Sequence, residues 1–129
     1  MTQPPMERLE RVIGAMPDVA FALLVGSRAA GKASVDSDWD VALWISRDLS
    51  ALDRLRCLEE ARWEITGVLG ITPSLVDVID LAESGLAMCA VAANEGVLLK
   101  QDASSLYNRF LNRTWRELEE FQWEEGHAA

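Results

Sequence analysis

The residues best suited to chemistry fall in two short stretches. The first is Gly26–Val41, GSRAAGKASVDSDWDV, which begins where a continuously apolar run, VAFALLV, stops. A glycine at the end of a buried strand lets backbone approach a ligand closely. Ser27 adds a hydroxyl and an N–H, and the N–H groups of Arg28 to Ala30 would face an anion if they open a helical turn. Alone, a Gly-Ser pair after a strand is often just a turn. Asp38 and Asp40 stand at i and i+2 at the start of the next strand, so both carboxylates leave one face, with Trp39 and Val41 on the other. Like charges that close repel unless a cation lies between them. Oxygen donors at this spacing suit Mg²⁺, which takes one or two carboxylates plus substrate phosphates. A bare DxD can equally be two solvated aspartates ending a loop.

The second stretch is LVDVIDL, Leu75–Leu81. Asp77 lies between Leu75, Val76, Val78 and Ile79, where a carboxylate needs a partner or a metal. Period-two geometry puts Asp80 on the opposite face, so at most one of the two joins the pair, and Asp80 reads as a solvated strand end. A third carboxylate from a neighbouring strand completes the layout of a two-metal phosphoryl- or nucleotidyl-transfer site. Arg28 and Lys32 could reach phosphates, although loop cations are more often simply solvated, and Ser37 reads as a loop hydrogen-bonder ahead of a site residue.

These residues need a scaffold. The pattern predicts a helix after Pro4-Pro5 with Met6, Leu9, Val12, Ile13 and Met16 on one face, and a strand over 19–25. Further strands are expected over 40–45, 75–81 and 97–99, a long amphipathic helix over 49–69 and a small-residue helix over 85–94 closed by Gly96. A last helix is expected over about 104–125. Alternation of strands and helices in so short a chain implies a small α/β (α+β) sandwich: a mixed sheet of about four strands flanked by helices, one domain over 1–129. Trp63 and Trp115 are expected in the core. Trp123 falls off the apolar stripe of the last helix, as a partner-binding anchor or a frayed end.

Composition narrows the function. Twelve Lys and Arg against 21 Asp and Glu give a net charge of −9, with a pI near 4.5. That balance argues against gripping nucleic acid through a basic face. It leaves room for an acidic metal site or a basic protein partner, and Glu117, Glu119, Glu120, Glu124 and Glu125 could face such a partner. Two cysteines and a single histidine, His127, argue against a disulfide scaffold or a zinc site. No apolar leader or membrane-length run is visible, so a cytoplasmic location is expected.

Gly26-Ser27, ten intervening residues, Asp38-Trp39-Asp40 and a later Asp77 in a hydrophobic strand resemble the nucleotidyltransferase superfamily of DNA polymerase β type. The match is to its smallest branch, the minimal nucleotidyltransferase (MNT) domain of HEPN/MNT toxin–antitoxin modules, and covers nearly the whole chain. The resemblance implies the polymerase-β-like fold, Gly26, Ser27 and Arg28 at the nucleotide phosphates, and Asp38, Asp40 and Asp77 as catalytic metal ligands for two Mg²⁺ ions. It implies ATP as AMP donor and a tyrosine of a partner HEPN ribonuclease as acceptor, AMP addition silencing that toxin as in a type VII-like antitoxin. Many relatives read GSRARG where this chain has GSRAAG, so Ala30 replaces an arginine near the triphosphate. Two other readings stay open: a nucleotidyltransferase for a small molecule such as an antibiotic, though 129 residues leave little room for an acceptor domain, and an antitoxin that neutralises its partner by contact alone.

Overall fold

The computed structural model describes residues 3–127. Its elements run α1 (Pro5–Gly14), β1 (Val19–Val25), β2 (Trp39–Ile45), α2 (Ala51–Leu69), β3 (Val76–Asp80), α3 (Leu86–Glu95), β4 (Val97–Gln101) and α4 (Leu106–Gly126). Short 3₁₀ turns at Pro73–Leu75 and Leu81–Glu83 bracket β3. The sheet order is β3-β2-β1-β4. β1 is antiparallel to β2 and β4, whereas β2 and β3 are parallel, so the sheet is mixed, as the element pattern implies.

β1 is apolar at every position because it is central in the sheet and covered on both faces; all seven of its residues are buried. Ala22 and Leu24 face α1 and α2, packing with Leu9, Ile13, Val41, Leu43, Ile45, Ala61 and Ile65. Phe21, Leu23 and Val25 face α3 and α4, packing with Ala42, Cys89, Ala92 and Phe110. A register irregularity between Val19 and Phe21 lets the adjacent residues Ala20 and Phe21 both join this second layer. Phe21 is its hub, with its ring 5.5 Å from Trp44, 5.2 Å from Tyr107 and 5.4 Å from Phe110. Gly96 lets α3 run straight into β4: a Cβ there would strike Ala92 O and lie 3.2 Å from Leu23 Cβ.

Helix α2 starts where the Ser50 hydroxyl accepts the Asp53 N–H at 3.1 Å and ends at Gly70, in the left-handed region with φ 67°. It is less buried than its apolar residues suggest. Leu52, Leu55, Leu58 and Ala61 recur every three residues, and each step of three falls about 60° short of a full turn, so they wind around the helix. Ala61 and Ile65 reach the core while Leu52 and Leu55 stay exposed. The same phase corrects the expectation for Trp63, which lies two residues from each of those buried positions, points away from the sheet and is 71% exposed. Trp115 is also outside the core, 42% exposed, its indole N–H donating to Asn94 Oδ1 at 3.0 Å across the α3–α4 seam. Trp123, open by sequence between an anchor and a partly covered end, is exposed and stacks on His127 with centroids 4.1 Å apart. Among the described residues, no helix is long and apolar enough to cross a membrane.

Candidate active site

The site lies where β1 leaves the sheet and β2 and β3 enter it. Asp40 stands opposite Val25 in the antiparallel pair and opposite Asp77 in the parallel one. By strand alternation both carboxylates belong to the α3/α4 side, with Ala42 and Ile79 beyond them. Trp39 and Val41 are buried on the other side, beneath α1 and α2. Asp38 sits one residue before β2.

Gly26 closes the third side. Its φ is +77°, a region that disfavours a side chain, and a Cβ there would run into Asp40 Oδ2, with Asp40 Cγ at 3.3 Å. The backbone of the Gly-Ser turn is therefore packed directly on the Asp40 carboxylate. After it the chain makes a tight turn in which Ala29 N–H and Ala30 N–H donate to Gly26 O at 3.1 and 3.2 Å. Two of the N–H groups expected to face an anion are thus taken by the turn itself.

Asp40 is half-buried, while Asp38 and Asp77 are exposed. Burial, with the neighbouring charges of Asp77 and then Asp38, holds the Asp40 carboxyl above the ordinary carboxylate range. A cation between these oxygens would relieve that repulsion, and exposed carboxylates can share an ion that keeps part of its water, so the donor set fits Mg²⁺. As the side chains stand, no three acidic, histidine or cysteine groups among the described residues converge into a closed metal cluster. The register brings Asp40 and Asp77 together; Asp38 adds its charge from the loop side.

Two expectations about β3 are revised. Asp77 is exposed rather than embedded among apolar neighbours, because β3 is an edge strand and Asp77 lies near its start. Its position beside Asp40 rests on register, not on a need for burial. Asp80 is on the other face, as alternation requires, but it is no solvated end. It pairs with Leu43 beside α2, its Oδ1 is buried without a hydrogen-bond partner, and burial raises its pKa, partly offset by the Ala82 backbone and Arg47.

Arg28 does not point freely outward. Its Nε donates to Ser37 O at 3.2 Å, and its Nη2 donates to Ser37 O at 2.9 Å and to Ser34 O at 3.2 Å. Its guanidinium carbon lies 4.2 Å from the Trp39 ring centroid. Ser37 is the loop hydrogen-bonder expected of it, its Oγ accepting Ser34 N–H at 2.9 Å. The part played by Trp39 was not readable beforehand, because an Arg–Trp contact made across a loop leaves no periodic trace.

The chain is similar to known proteins in sequence and in fold. A protein adenylyltransferase MntA of Aphanizomenon flos-aquae (strain 2012/KM1/D3) is 25% identical over 107 residues, covering 80% of this chain and 71% of the relative. A crystal structure of a toxin–antitoxin with AMP-PNP superposes with a TM-score of 0.72 at 19% identity, covering 94% of this chain and 92% of that one. A tri-AMPylated Shewanella oneidensis HEPN toxin in complex with MNT antitoxin gives a TM-score of 0.66 at 18% identity, covering 98% and 93%. These structures share the fold of the described chain. A model of the family described as polymerase beta, nucleotidyltransferase matches residues 7–104, from α1 through β4, so the chain belongs to that family.

Proposed function

We infer that this chain is an MNT-type antitoxin that transfers AMP from ATP to a tyrosine hydroxyl of a partner HEPN ribonuclease. The observation that carries this reading is the cross-strand pair of Asp40 and Asp77, with the Gly26 turn packed on the Asp40 carboxylate. Support comes from the relatives: one is named a protein adenylyltransferase, and a structural neighbour is an antitoxin bound to an AMPylated HEPN toxin.

Asp38, Asp40 and Asp77 would hold two Mg²⁺ ions, which when bound neutralise phosphate charge and favour ionisation of the acceptor hydroxyl. Asp77, exposed at the sheet edge, is placed to meet an acceptor arriving from a separate protein. Gly26 and Ser27 would cradle the triphosphate, since a backbone without a side chain at that point allows close approach. In-line attack forms the bond from the acceptor oxygen to the α-phosphorus as the bond to the β-phosphate bridging oxygen breaks. The hydroxyl proton would pass to Asp77, and pyrophosphate would leave past the Gly26 turn. The acidic surface of α4, where Glu119, Glu120 and Glu124 surround Trp123, suits a basic ribonuclease.

The purified chain, mixed with the HEPN protein of its own operon, ATP and Mg²⁺, is expected to raise the intact mass of that protein by whole AMP increments. No increment together with unchanged ribonuclease activity would overturn the reading.

A further inference from the structure

The loop before Asp38 is held by one side chain. Arg28 grips Ser37 O with two nitrogens and Ser34 O with one of them, and stacks on Trp39. Ser37 and Trp39 are the residues immediately before and after Asp38. The Ser34–Ser37 segment is itself a closed turn, with Ser37 N–H donating to Ser34 O at 3.1 Å and Ser34 N–H donating to Ser37 Oγ at 2.9 Å. Arg28 therefore joins a hydrogen-bonded turn on one side of Asp38 to a buried indole on the other. Asp38 itself is exposed and lies outside β2, so its direction depends on how its two neighbours are held.

We propose that Arg28 is a positioning residue for Asp38, fixing the backbone on both sides so that its carboxylate is aimed toward Asp40 before any ligand binds. The guanidinium suits this work because it is planar, presents several donors in a fixed fork and stacks on an aromatic face. A lysine carries its donors on a single nitrogen and has no planar face to lay on the indole, so it reproduces these contacts only in part. The assignment rests on the nucleotidyl-transfer reading, because it gives Asp38 a cation to hold. It turns Arg28 away from the direct phosphate contact that the sequence pattern suggests.

The test is Mn²⁺ binding without nucleotide, followed by isothermal calorimetry, in the wild type, Arg28→Ala, Arg28→Lys and Asp38→Asn. Arg28→Ala is expected to weaken the Asp38-dependent binding about tenfold, as loss of a supporting contact behind a metal ligand typically does. Arg28→Lys should recover only part of it. In AMP transfer both variants should need more metal for half-maximal rate, with KM for ATP near the wild-type value once metal is saturating. Unchanged Mn²⁺ affinity in a folded variant, with a raised KM for ATP at saturating metal, would overturn the proposal and make Arg28 a phosphate contact. Should Arg28→Ala not fold, Arg28→Lys with its far-ultraviolet dichroism retained carries the same comparison. Wild-type protein with no binding sensitive to Asp38→Asn would overturn the nucleotidyl-transfer reading itself, and this assignment with it.

Discussion

Asp40 on β2 and Asp77 on β3 stand directly opposite one another across the parallel pair of strands, at the point where β1 turns away at Gly26. Three chain segments far apart in sequence thus meet at one carboxylate. Asp40 takes the burial, and Asp38 and Asp77 on either side take the solvent. The half-buried carboxylate of such a group senses both neighbours, while the exposed ones remain accessible to an ion or an acceptor.

Asp77→Asn should keep the fold and lose the chemistry. The side chain is exposed and isosteric with its replacement, so stability should stay within about 0.5 kcal/mol of the wild type. AMP transfer should fall by about 10²-fold or more, the loss typical of a group that handles a proton in the transition state. Urea unfolding and single-turnover transfer, measured on the same preparation, check both halves.

Asp40 should make the metal-free protein less stable as pH rises. Burial and two like charges raise its pKa in the folded state, so the fold holds that proton more tightly than the unfolded chain does. Its favourable contribution is present below the ordinary carboxylate value and is lost as pH climbs through the raised one. Asp40→Asn removes that dependence and should raise the thermal midpoint of the metal-free protein at neutral pH. Mg²⁺ should stabilise the wild type at neutral pH and leave the variant nearly unmoved. Scanning unfolding from acid to neutral pH, with and without Mg²⁺, reads the difference between the two proteins and so separates Asp40 from Asp80.

Gly26→Ala should harm activity more than stability. The left-handed backbone costs an alanine about 1–2 kcal/mol, and its Cβ must displace the Asp40 carboxylate. Denaturant midpoints should report the modest first effect. Transfer rate and Mn²⁺ affinity should report the larger second one.

Phe21→Ala tests the scaffold. Phe21 is 1% exposed and its ring touches Trp44, Tyr107 and Phe110, tying α4 to the sheet. A loss of about 3–5 kcal/mol is expected, a large part of the 5–15 kcal/mol typical of a whole domain. Urea unfolding followed by tryptophan fluorescence measures it.

Much of this was legible in the residues. The run VAFALLV marked β1 to the residue because a strand covered on both faces needs no polar alternation. The mixed four-stranded sheet and the position of each helix also followed from periodicity and from Gly and Pro punctuation. The pairing of Asp40 with Asp77 was foreshadowed by their shared strand-face logic, but register between strands thirty-odd residues apart is a tertiary fact. Trp63 misled because size suggests burial, whereas helix phase relative to Ala61 and Ile65 decides it. Asp80 misled in the opposite direction: a strand end looks wet in sequence, and α2 covers it. Arg28 was visible as a cation near a phosphate loop. Its hold on Ser37 and Trp39 depends on how the loop folds back, which no local pattern encodes.

The central claim is that this chain protects by chemistry and not by contact alone. The most direct test compares toxin-dependent growth arrest in cells carrying the wild type with that in cells carrying Asp38→Ala plus Asp40→Ala, with copurification of the toxin measured for both. The account predicts that the double variant still copurifies with the toxin, leaves it unmodified and fails to restore growth. Full protection by a double variant that adds no AMP would contradict it.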